Sequence, residues 1–99
     1  MKTIWADSAT EQVFEIAEYI AHNSPSNALK WLDSIYEKAD SLREFPYKFP
    51  EAEEAFNTQI RDCTFGRFRI IYKVDAKIIY VMAVKRCAQD KTEDEINEI

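Results

Sequence analysis

The chain has 99 residues, 46% hydrophobic and 31% charged, which makes a single soluble domain (residues 1–99) with one thin core. No apolar run approaches the roughly 20 residues of a membrane helix, and MKTIWADS lacks the apolar stretch and cleavage site of a secretory signal, so a cytoplasmic chain with no membrane partner is expected. The net charge of −5 speaks against a uniformly basic nucleic-acid binder, but residues 59–91 carry 8 basic and 3 acidic side chains, against 5 and 11 in residues 1–58.

Thr3-Ile4-Trp5 reads as a short first strand, because its side chains favour extended backbone. Ser8-Ala9-Thr10-Glu11 fits a capping box, in which Ser8 accepts from an exposed amide and Glu11 reaches back to the cap. A first helix follows, with Val13, Phe14, Ala17, Tyr19, Ile20 and Ala21 as its apolar stripe and Glu11, Glu15 and Glu18 on its wet side. It ends near His22, since Pro25 disfavours helical angles at Ser24. Ser24-Pro25 then opens a second helix, Ser as N-cap and Pro at the first helical position. Ala28, Leu29, Trp31, Leu32, Ile35, Ala39, Leu42 and Phe45 recur in it at steps of three and four, and it stops before Pro46. The short turn implies an antiparallel helical hairpin, with Trp5, Phe14, Trp31 and Phe45 in the core.

Pro46 to Phe56 reads as a loop with an acidic cluster, Glu51, Glu53 and Glu54, and Thr58 to Thr64 as a strand. From Gly66 the chain runs GRFRIIYKVDAKIIYVMAVKR, a β-hairpin reversing at Asp75-Ala76 or Asp75 to Lys77. Phe68, Ile70, Tyr72 and Val74 form one alternating row, opposite Arg67, Arg69, Ile71 and Lys73. Ile79, Val81, Ala83 and Lys85 form another, opposite Ile78, Tyr80, Met82 and Val84. Residues 91–99 form a short acidic helix or a tail, for which Thr92 to Glu95 supplies a second capping box. The fold class is α+β: a short N-terminal strand and a two-helix hairpin packed on one face of a mainly antiparallel sheet of about four strands.

Cys63 and Cys87 belong to neither a CxxC pair nor a ligand cluster, so free thiols and no metal or cofactor are expected. The chemistry sits in the cations of the hairpin: Arg61, Arg67, Arg69, Lys85 and Arg86, with Tyr80 able to stack on a base or pack on a partner helix. Two readings remain open for them, a solvated strand face on which the arginines pair with carboxylates such as Asp62, Asp75 and Asp90, and an anion-binding one. On one face, Arg67 and Arg69 would stand about 6.5 to 7 Å apart, the span of one phosphate or one acidic helix.

These residues together resemble the RelE/ParE toxin superfamily, and within it the ParE-like branch. The likeness rests on SATEQVFEIAEYI, the SP that opens ALKWLDSI, the LREFP exit, the hairpin GRFRIIYKVDAKIIYVMAVKR and the AQD after it. It covers nearly the whole chain. The resemblance implies a plasmid-stabilisation or type II toxin–antitoxin toxin that inhibits growth and is neutralised by a cognate antitoxin. ParE-like members act on DNA gyrase without an assigned catalytic set. RelE-like members instead cleave messenger RNA at the ribosome and need a base, an acid and cations for the phosphorane.

For such a nuclease the candidates here are Arg69, which matches the family's strand arginine, Arg86, which stands where many relatives have histidine, and Arg61 in the preceding strand. The tyrosine expected of that branch falls near Glu93. Arginine stays protonated up to a pKa above about 12 and cannot act as a base, while His22 reads as a solvated helix end. Glu51, Glu53, Glu54 and Asp90 stay open as substitute carboxylates. The resemblance therefore favours gyrase over the ribosome and its mRNA. A third reading, a non-toxic interaction module of the same fold that forms a homodimer, stays open.

Overall fold

The computed structural model of the chain describes residues 1–52 and 59–87. Through them run β1 (Lys2–Trp5), α1 (Asp7–Ala21), α2 (Pro25–Ser41), β2 (Ile60–Phe65), β3 (Phe68–Asp75) and β4 (Ile78–Arg86). The sheet order is β1-β4-β3-β2. β2, β3 and β4 pair antiparallel, whereas β1 runs parallel to β4, from Lys2 beside Ile78 to Trp5 beside Val81. The α+β layout read from the sequence is therefore the observed one. Glu53, Glu54, Asp90 and the acidic segment from Thr92 lie outside the described residues.

α1 starts two residues before the place its capping box assigns. The N-cap is Ala6, without a side-chain cap, and Asp7 supplies the negative charge of the first turn. The cause is the sheet: the Ala6 amide donates to the Val81 carbonyl at 2.9 Å, so the chain leaves β1 already turned into the helix. At α2 the sequence reading holds. Ser24 accepts from the Asn27 amide at 3.2 Å and Pro25 stands in the first turn. The helix ends at Ser41, with Leu42 as its C-cap.

Ala9 and Val13 of α1, four residues apart, pack with Ile35 and Ala39 of α2 and the buried row Ile70, Tyr72, Val74, Ile79 and Val81 of the sheet. Each of the larger aliphatic side chains contributes about 1.5–3 kcal/mol by leaving water. Trp5 and Trp31 pack at the margin of this core, their rings 4.9 Å from Tyr36 and 5.2 Å from Phe68. Phe14 and Phe45 do not: they are 52% and 66% exposed. Phe14 is one residue off the buried stripe, and Phe45 follows the end of α2, where helical spacing no longer sets its direction. Cys63 is buried and Cys87 half-buried, and both are free thiols.

Part of the expected loop is paired. The Ala52 amide donates to Ile60 and the Asp62 amide to Pro50, so residues 50–52 run along the outer edge of β2 and cover it. The Gly66-Arg67 reversal has φ +64° at Gly66, and the β3–β4 reversal is Ala76-Lys77 with Ala76 at φ +53°.

The hairpin departs from the expected alternation at one point. Tyr72 pairs with Val81 but Ile71 with Ala83, so Met82 is an extra residue in β4. This bulge shifts the phase: Val84, not Ala83, continues the buried row after Ile79 and Val81. The Val84 amide is satisfied from α1, donating to Oε1 of Gln12 at 2.8 Å.

Candidate functional site

Residues opposite each other in register share a sheet face. Arg61 pairs with Tyr72 and Arg86 with Phe68, so both arginines lie on the helix side. Arg61 donates from Nη1 to the Phe49 carbonyl at 3.0 Å and lies 5.0 Å above the Tyr47 ring. It fastens the 46–50 segment to the sheet. Arg86 is exposed and sits 5.9 Å over the Tyr19 ring of α1. Beside Arg61, buried Tyr72 donates its hydroxyl to the Pro46 carbonyl at 2.6 Å, and burial, with the nearby Cys63 and Asp62, pushes its pKa up to about 12. Burial also raises the Cys63 thiol.

Arg69 faces the other way. It shares a row with Thr64 and Lys85, and Asp62, Ile71 and Ala83 form the next row. Arg69 donates to Oδ2 of Asp62 from Nε at 2.8 Å and from Nη2 at 2.7 Å, with the two side chains 16% and 14% exposed. The second oxygen, Oδ1, is buried and has no hydrogen-bond partner. Ile71 beside them is buried, so this face is not uniformly wet. Its exposure rises toward β1, where Ile4, Lys73, Asp75, Ile78, Tyr80 and Met82 line a depression of about 400 Å³. Tyr80 and Ile4 are each more than a third exposed there.

Of the six nominated residues, Arg69, Lys85 and Tyr80 thus share the outer face. Arg61 and Arg86 stand behind the sheet, and Arg67 occupies the exposed turn, where its carbonyl accepts from the Cys87 amide at 2.8 Å. The Met82 bulge decides this distribution. With unbroken alternation Lys85 would point at the helices and Arg86 outward. Of the carboxylates that the sequence offers the strand arginines, Asp62, Asp75 and Asp90, it is Asp62 that Arg69 takes. The signal was present, since residues seven apart across a two-residue turn become diagonal neighbours once Gly66 is taken as the turn's first residue. His22 is the C-cap of α1, outside this surface. Among the described residues no three His, Cys, Asp or Glu side chains converge as a metal ion requires.

Comparison with known proteins agrees with the architecture. The sequence profile described as "ParE toxin of type II toxin-antitoxin system, parDE" matches residues 3–91. No curated protein sequence matches the chain. Among solved structures, a chain of the "Chromosomal ParDE TA system from P. aeruginosa" superimposes with a TM-score of 0.73 at 21% identity, covering 89% of this chain and 97% of that one. At that identity the likeness speaks for the fold.

Proposed function

The chain belongs to the ParE toxin family, and from that premise we propose that it is the growth-inhibiting member of a type II toxin–antitoxin pair, acting by binding DNA gyrase and neutralised by a cognate antitoxin. The separation of the arginines carries this reading. Arg61 and Arg86 lie on one side of the sheet and Arg69 on the other, so the three do not surround one phosphate. None of them serves as a base, and Asp62 is engaged with Arg69. A toxin that works by binding needs a surface rather than a convergent acid–base set. The outer face supplies Lys73 at the rim of an apolar depression and Lys85 further along β4, opposite Arg69. That combination suits an acidic antitoxin segment that orders as it binds.

The test is to induce the chain alone in bacteria and pulse-label DNA and protein synthesis over the following minutes. Replication that falls first while translation persists supports the gyrase reading. Translation that falls first overturns it and makes the Arg69 face a ribonuclease site to be mapped on messenger RNA.

A further inference from the structure

Half-way along β4 the backbone exchanges the edges to which its polar groups point, and one side chain of α1 answers the exchange. Along a strand, the amide and carbonyl of one residue face one edge and those of the next face the other. Below Met82 the odd residues face β1: the Lys77 carbonyl accepts from the Lys2 amide and the Val81 carbonyl from the Ala6 amide, each at 2.9 Å. Above it the odd residues face β3, since the Cys87 amide donates to the Arg67 carbonyl at 2.8 Å. The extra residue at Met82 makes this exchange. It turns the Val84 amide toward the β1 edge, where β1 has already ended at Trp5 beside Val81.

Among the described residues no strand continues β1 along that edge, and Gln12 stands in for one. Its Oε1 accepts from the Val84 amide at 2.8 Å. The bond fits only the bulged strand. Without the extra residue the Ala83 amide would face that edge and the Val84 amide would face β3. Side chains would change sides as well. Ala83 would replace buried Val84 beneath the helices, Lys85 would turn inward, and Arg86 would leave the Tyr19 ring for the outer face. Burial of Val84 favours the bulged phase too, but burial is non-directional. The Gln12 bond selects one amide.

We propose that Gln12 is a positioning residue for the outer face of the sheet. By holding the Val84 amide it locks the bulge at Met82, which sends Lys85 outward opposite Arg69 and Arg86 to the helix side. One side chain thereby couples α1 to a surface on the far side of the sheet. The fold alone carries the positioning of Lys85; its effect on growth arrest rests on the binding role of the outer face proposed above.

The test compares Gln12→Leu, which removes the acceptor, with Gln12→Glu, which keeps one, by NMR on isotope-labelled protein and by growth arrest on induction. In Gln12→Leu the Val84 amide should exchange about tenfold faster. Cross-strand contacts of a second register should appear, with Val84 opposite Arg69 instead of Ile70, and growth arrest should weaken. Gln12→Glu should keep the wild-type register and growth arrest. Deleting Met82 straightens β4 with Val84 buried and Lys85 outward, so Gln12→Leu should change neither register nor growth arrest in that background. A Leu variant that keeps the single wild-type register would overturn the proposal, as would a Glu variant that slips like the Leu one. If Gln12→Leu fails to fold, the deletion background decides, because equal damage there shows that Gln12 does not act through the bulge. A changed register with undiminished growth arrest would leave the role of Gln12 standing and overturn the outer-face reading instead.

Discussion

The two faces of the sheet come from alternate residues of the same strands, yet they differ in how far the fold itself covers them. On the helix side the long polar side chains are partnered, and among the described residues the buried side-chain oxygen left without a hydrogen bond there is Thr3 Oγ1, in register with Ile79. The Tyr72 hydroxyl meets the Pro46 carbonyl, the Val84 amide meets Gln12, and Arg61 meets the Phe49 carbonyl. On the outer side Asp62 gives one oxygen to Arg69 and keeps the other buried without a donor, while Tyr80 and Ile4 face water. One face is closed by the fold itself. The other keeps unsaturated chemistry beside an apolar depression, which a partner can complete.

Substitutions on the two faces should therefore separate stability from function. Ile70→Ala, in the fully buried row, should cost about 2–5 kcal/mol by denaturant unfolding and weaken growth arrest only through lost folded protein. Tyr80→Ala should cost less than about 1 kcal/mol and still reduce growth arrest or antitoxin affinity. Equal stability losses for the pair would erase the distinction between the faces.

Arg69→Ala strands the Asp62 carboxylate and should cost about 1–3 kcal/mol. Adding Asp62→Ala should return most of that stability without returning growth arrest. If the double variant regains toxicity, Arg69 serves the fold alone.

Tyr72 tests the closed face by pH. Its hydroxyl is raised by burial to about 12, against about 10 in an unfolded chain. A raised folded-state value gives stability that is complete below pH 10 and lost as pH climbs from 10 toward 12. Cys63, raised by burial from 9.0, adds a decline in the same direction that begins lower. Tyr72→Phe should cost about 1–3 kcal/mol near neutrality, because the Pro46 carbonyl loses its donor. It should also flatten the upper part of the alkaline decline, as read by denaturation across pH 9 to 12.

The smallest expected effect lies at neither face. Ala76 holds φ +53° in the β3–β4 turn, a region that disfavours a Cβ. Ala76→Gly should stabilise by about 0.5 kcal/mol, roughly 2–4 °C in Tm.

Most of the fold was legible because local signals agreed with the packing. Ser24-Pro25 set the start of α2, Gly66 set a turn, and the alternation of Phe68, Ile70, Tyr72 and Val74 set a face. Legibility failed where a distant contact decided the outcome. The start of α1 follows a hydrogen bond from Ala6 to Val81 rather than the box at Ser8. The phase of Lys85 and Arg86 follows the bulge at Met82, and nothing in a run of apolar residues announces one extra. Arg69 was placed by family resemblance. That Asp62 holds it, rather than Asp75 or Asp90, became visible only once β2 and β3 were in register.

The parallel pairing of β1 with β4 has a consequence in time. Lys2 lies beside Ile78, so the first strand made has no neighbour until 76 further residues (78 minus 2) have been translated. At about 5–20 residues per second that interval lasts roughly 4–15 s. Throughout it β1 has no strand to pair with, and the sheet closes only once β4 has been made. A nascent chain of this kind completes its sheet late, and the face that spans β1 and β4 does not exist before then.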